Sequence, residues 1–398
     1  MADQLILLVT ALVRHSNFPY GTQDISLAVS MYLNQTSADG NLSHKKHFMA
    51  LVTDNRVPLQ KDSISSIQWL RGVAALLVVF HHLGSFMSDV GVKLYKFDVG
   101  AIGVDIFFVI SGFIMVYVTR FHDGSVRATA TFFKKRCVRV LPMYWLVTGI
   151  YLASDNLTKP DQINLSIVLK SFLLIPSYYL VPGMISPVLI QGWTLYYELF
   201  FYLVLGGALF FLTPLRSRIF VCLFFCMLVY LGHVIGNKGA ITSIYTNPLL
   251  LEFLAGVAIG HVYVTHHQRS VALASLLLLF AVASFFIAPL GWDRSIRWGV
   301  PSALLVAGVV LLEGATKSSK IWRWNLGSRA GEISYSLYLT HYAVFVFASV
   351  PSILIWTRTA SPLEHIGYGM YLLSISVAAS ALLFKYIEKP LLRKFSGR

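Results

Sequence analysis

Arg71 and His82 stand eleven residues apart in an otherwise apolar run, with His81 beside the second. On a helix that separation is about 16 Å of rise and about 20° of rotation, so the two side chains share a face. An imidazole near neutrality suits proton transfer, and a guanidinium suits a phosphate or carboxylate. Asp105, in the next apolar run, falls at a similar depth if the two runs are antiparallel helices. A carboxylate beside an imidazole orients the ring and raises its basicity, so His82 and Asp105 are read as a candidate acid–base pair. Packing alone is the competing reading, since buried ion pairs also set helix register.

Three more clusters carry chemistry. Glu198 lies in Gly192-Trp193-Thr194-Leu195-Tyr196-Tyr197-Glu198. A carboxyl group at membrane depth is protonated or paired, and it can hold a substrate hydroxyl. Trp193 and Tyr197 offer aromatic faces that stack on sugars, although aromatic residues also collect at membrane interfaces. Arg136 and Arg139, three apart, are expected at a helix entry before Pro142 and share one helix face. Arginine forks grip phosphates, while a basic cluster can equally be a topology signal. His341 sits inside a late apolar run, as suited to a structural role as to a site. Glu388, followed by Lys389-Pro390, reads as a helix cap. No spacing of His, Cys or carboxylates suggests a metal site, and Cys137, Cys222 and Cys226 form no disulfide framework.

The elements that must position these groups are membrane helices. The 398 residues are 56% hydrophobic and 13% charged. A soluble protein carries about 25% charged residues, so lipid must be the main solvent. The expected fold is all-α, a polytopic bundle of about ten spans near 67–89, 99–119, 139–155, 188–212, 218–237, 247–265, 270–290, 298–315, 333–356 and 366–387. The stretch 163–181 reads as interfacial or re-entrant. With both termini cytoplasmic, inner segments hold 18 Lys and Arg and outer segments 8, which favours the N-in, C-in arrangement. The net charge of +14 therefore points to topology and an anionic substrate rather than nucleic acid. Residues 1–62 are read as a cytoplasmic extension: Leu5–Val13 is too short to span and lacks a basic lead-in. Residues 63–394 are read as the membrane domain.

Taken in order, Trp69-Leu70-Arg71-Gly72-Val73-Ala74-Ala75 with His82, Gly100 to Phe113 around Asp105, Arg136/Arg139/Pro142 with Tyr144-Trp145, Trp193 to Glu198, and Ser334 to His341 resemble the acyltransferase-3 family of integral membrane acyltransferases. The likeness runs from residue 64 to about 394, and its branch is similar to the ExoZ-type exopolysaccharide acyltransferases. The N-terminal extension departs from that pattern. The resemblance implies a ten-helix bundle in the bacterial inner membrane that moves an acyl group, acetyl in the expected case, from acyl-CoA to a hydroxyl of a polysaccharide or lipid-linked glycan. It singles out His82 rather than His81, through an Arg-x10-His pattern. The expected roles are His82 as base, Asp105 as its orienting partner, Glu198 as acceptor-positioning acid, Arg71, Arg136 and Arg139 on the phosphates of the donor, and Trp193, Tyr197 and His341 around the acceptor. No permanently bound cofactor is expected; membrane lipid and polysaccharide-synthesis machinery are the further partners. A membrane transporter is the alternative, since buried ionisable groups also build substrate pathways.

Overall fold

The computed structural model describes residues 64–89, 98–158, 165–178, 183–236, 239–266, 270–287, 291–316, 322, 325–348 and 361–396. The extension 1–62 and the boundary expected after it lie outside the described residues. Among the described residues the chain is helical, with one isolated bridge between Tyr178 and Ile185 in place of any strand.

The helices are α1 (Ser65–Asp89), α2 (Ile102–Thr119), α3 (Val126–Thr158), α4 (Leu165–Phe172), α5 (Trp193–Phe211), α6 (Pro214–Ile235), α7 (Ala240–Tyr245), α8 (Leu250–Thr265), α9 (Val271–Ile287), α10 (Val300–Ala315), α11 (Asn325–Ala348), α12 (Pro362–Leu383) and α13 (Lys389–Ser396). A π turn, Ser295–Gly299, leads into α10, and another, Phe384–Glu388, joins α12 to α13. Each expected span overlaps a helix; residues 237, 288–290 and 349–356 of these spans lie outside the described residues. Seven stretches are long and apolar enough to cross a membrane: those containing α1, α2, α5, α6, α7–α8, α10 and α12–α13. The helix α9 is apolar but only 17 residues long. The helices α3 and α11 are long, and polar residues lower their hydropathy. Exposed side chains on α6 and α9, such as Leu223 and Phe286, are apolar, as lipid contact requires.

One of the sequence expectations changes here. Arg136 and Arg139 do not stand at a helix entry. The helix α3 starts at Val126 and runs unbroken for 33 residues, so both arginines lie well inside it. The turn that starts it is built locally. Asp123 accepts the Ser125 N–H at 2.9 Å, which holds its exposed carboxyl below the ordinary carboxylate range, and Gly124 takes a φ of +75°. The segment 163–181 contains α4, eight residues and too short to cross. Tyr144 and Trp145 of α3 tie it down by donating to the carbonyls of Ser171 and Phe172 at 2.6 and 2.9 Å.

Two tight, parallel helix pairs position the site. On α1 and α11, a Cβ at Gly72 would lie 2.7 Å from Ala330 Cβ, and one at Gly331 would lie 2.3 Å from the Gln68 carbonyl. On α2 and α8, Gly112 meets the Phe253 carbonyl and Gly256 meets the Val109 carbonyl. Small residues let helix backbones approach this closely in membranes, where packing rather than water exclusion drives association. Register then follows. Ten residues beyond the Gly72–Gly331 contact stand His82 and His341. One turn before the Val109–Gly256 contact stand Asp105 and Glu252. At the opposite end of α1 from its histidines, Glu313 of α10 accepts the N–H groups of Ser65 and Ser66 at 2.9 and 3.0 Å and caps the helix.

Candidate active site

A cavity of about 110 Å³ runs along the bundle interior, walled by α1, α2, α3, α5 and α11. Arg71, Arg136, Arg139, Glu198 and Tyr202 line it, together with Thr194 and Tyr338. Arg139 pairs with the buried Glu388, which also accepts the Ser336 hydroxyl. Glu388 is thus part of the charge cluster and not a terminal cap; the π turn Phe384–Glu388 swings it inward. Glu198 accepts the Tyr202 hydroxyl and that of Ser111, the latter at 3.4 Å. The Arg136 guanidinium lies 5.9 Å from the Tyr202 ring. Three guanidiniums thus face two carboxylates, and the balance is positive. Arg136 Nε and Arg139 Nη2 are buried without a hydrogen-bond partner. An unpaired buried donor costs about 1–3 kcal/mol, so these groups are suited to an oxygen-rich anion entering the cavity.

His82 and His341 form a second constellation. His341 Nε2 and His82 Nδ1 are 3.0 Å apart, and His341 Nδ1 is 2.9 Å from the Leu337 carbonyl. A carbonyl only accepts, so His341 carries its proton on Nδ1 and presents a lone pair at Nε2. His82 must then donate from Nδ1, which leaves its own Nε2 lone pair open. This is the tautomer a general base needs. Neither histidine lines the cavity itself. Tyr338, which does, lies one turn from His341 on α11, with ring centroids 6.5 Å apart. Its hydroxyl bonds the Gln191 carbonyl at 2.8 Å and the Thr194 hydroxyl at 2.9 Å, fixing α11 to the start of α5.

The expected His82–Asp105 pair is not formed. Asp105 is fully buried and takes two hydrogen bonds from Arg294, Nε to Oδ1 at 3.2 Å and Nη2 to Oδ2 at 2.9 Å. The depth estimate concerned position along the helix axis, whereas azimuth turns Asp105 toward α8 and the segment before α10. His341 holds the place beside His82 that Asp105 was expected to fill. Trp193 lies 5.7 Å beneath the Arg294 guanidinium and 6.4 Å from Phe108. Tyr197 is buried between Phe108 and Trp193, at 5.7 and 5.9 Å. Arg294 and Glu252 were missed as site residues. Arg294 lies between two apolar runs, where a charge carries no signal, whereas Glu252 is a carboxyl group inside a span, which is itself a signal.

A family model described as an acyltransferase domain matches residues 64–384. This chain belongs to the acyltransferase-3 family. The match covers all five motifs and both histidines. Exopolysaccharide production protein ExoZ of Rhizobium meliloti (strain 1021) is 34% identical over 309 residues, 76% of this chain and 93% of that protein. Acyltransferase MdmB of Streptomyces mycarofaciens is 25% identical over 372 residues, 84% of this chain and 93% of its own. No solved structure matches the chain. As an acyltransferase-3 protein with apolar helices long enough to span, the molecule is an integral membrane enzyme that transfers acyl groups.

Proposed function

We propose that the protein moves an acyl group, acetyl first among the candidates, from acyl-CoA to a hydroxyl of a polysaccharide or lipid-linked glycan, in the inner membrane of a bacterium. The observation that carries the donor assignment is the cavity end built by Arg71, Arg136 and Arg139, where two guanidiniums keep buried N–H groups unpaired. Bidentate donors of this kind match the phosphates of CoA. The similarity to an exopolysaccharide production protein supports a glycan acceptor.

In this reading the donor binds with its phosphates at the arginines and its thioester towards Thr194 and Tyr338. His82 Nε2 removes the proton of the acceptor hydroxyl as the oxygen attacks the thioester carbonyl carbon. His341 steadies the ring through His82 Nδ1. The tetrahedral centre collapses, the C–S bond breaks, and the proton on His82 passes to the leaving thiolate. An ester and a free thiol result, with no net proton change. Glu198 holds an acceptor hydroxyl, and Trp193 stacks on a sugar face.

The test uses purified protein, acetyl-labelled acetyl-CoA and surface polysaccharide from a strain lacking the gene. Label enters the glycan with wild-type protein, and His82→Ala abolishes that transfer while inserting normally. Arg136→Ala raises the KM for acetyl-CoA by about tenfold, the worth of one charge-assisted hydrogen bond. Unmodified glycan with label carried into vesicles instead would establish transport.

A further inference from the structure

Glu252 of α8 is 2% exposed, and neither of its carboxyl oxygens has an N–H or O–H partner. One side is closed by Gly299, where a Cβ would sit 3.0 Å from Oε1. On the parallel α2–α8 pair Glu252 stands level with Asp105, and the two carboxyl groups are neighbours. Two carboxylates cannot bond to each other, because each only accepts; one of the two must hold a proton. Asp105 offers both oxygens to Arg294, the geometry of an ionised carboxylate gripping a guanidinium. The proton therefore resides on Glu252. Charge agrees: the groups around Glu252 are Asp105 on α2, Asp293 and Arg294 before α10, and Tyr197 on α5. One cation stands against three carboxyl groups, and an ionised Glu252 would be a buried charge without a counterion.

We propose that Glu252 is a positioning residue that works as a neutral hydrogen-bond donor to Asp105, holding the Asp105–Arg294–Trp193 stack in place beside the cavity. The chain of contact is continuous. The Glu252 hydroxyl fixes the Asp105 carboxylate, and that carboxylate orients Arg294. Arg294 also donates to the Ala101 carbonyl at 3.3 Å and lies over the Trp193 ring, while remaining 35% exposed. Loss of the donor frees Asp105 to turn and lets the Arg294 plane leave Trp193. The consequence for acceptor binding rests on the proposed function, which puts the sugar on Trp193; the protonation state of Glu252 does not.

Two measurements decide it on full-length protein in detergent. Infrared difference spectra of wild type against Glu252→Gln should contain the C=O stretch of a protonated carboxylic acid that the variant lacks. Absence of that band overturns the proposal whether or not any acyl transfer is detected. In the acetyl-transfer assay, Glu252→Ala should raise the acceptor KM about tenfold with kcat changed less than about threefold, the loss of one hydrogen bond to a charged group. Glu252→Gln, whose amide still donates, should bring the acceptor KM back to within about twofold of wild type. A glutamine variant as impaired as the alanine one would mean that an ionised carboxylate is required, and would overturn the neutral-donor role. Should the alanine variant fail to fold, the glutamine variant and the spectrum still give the answer. No acyl transfer by wild-type protein, with the band present, would sink the functional reading alone.

Discussion

At the scale of single residues, the site is organised by hydrogen-bond direction. The Leu337 carbonyl sets the tautomer of His341, which sets that of His82 and leaves one basic nitrogen open. If this relay matters, His341→Ala should lower kcat by about 100-fold, the lower range for acid–base catalysis, while leaving the KM for acetyl-CoA within about twofold. Steady-state kinetics with both substrates varied will check the split; an equal fall in donor affinity would move His341 into the donor site. His341→Gln should recover part of the loss, because its amide oxygen can accept from His82 Nδ1. The individual residues were legible in the sequence because ionisable groups inside hydrocarbon are costly and therefore stand out. Their partners were not. Asp105 was matched to His82 on depth alone, and the azimuth that sends it to Arg294 is a property of how α2 rotates against α8.

At the scale of elements, glycine contacts do the positioning. Gly72 with Gly331 and Gly112 with Gly256 bring parallel helices to backbone contact, and the polar pairs follow one to three turns away. A side chain at Gly256 meets the Val109 carbonyl, where a Cβ would be only 2.0 Å away. Gly256→Leu should therefore lower the thermal unfolding midpoint in detergent by at least about 5 °C, the effect of overpacking a close helix crossing. Gly149→Ala, where nothing lies within 4 Å, should leave it unchanged or raise it slightly, since alanine favours the helix. A null effect of the leucine would show that α2 and α8 are not in backbone contact. The helices themselves were readable from apolar runs. The start of α3 was not, because a charged, exposed helical turn has no apolar stripe to announce it.

At the scale of the whole molecule, Arg71, Arg136, Arg139 and Glu388 gather towards one end of the bundle, and Asp105, Glu252 and Arg294 towards the other. The positive-inside rule predicts that the arginine end faces the cytoplasm. A membrane-impermeant thiol reagent should then label Asp293→Cys in intact spheroplasts and Ser125→Cys only after permeabilisation, in a background without the three native cysteines. Reversed labelling would invert the bundle. Composition alone determined the solvent of this protein, since 13% charged residues cannot cover a surface in water. The long continuous apolar runs determined the helical class: a chain in lipid must satisfy its own backbone hydrogen bonds, and a barrel strand would be short and alternate in polarity. The ordered motifs determined the family. Tertiary structure decided which polar groups meet. Hydropathy encodes how deep a residue sits, but helix rotation and the choice of neighbouring helix depend on shape fit between distant segments. That is why His82 found His341, 259 positions away, and Asp105 found Arg294, 189 positions away.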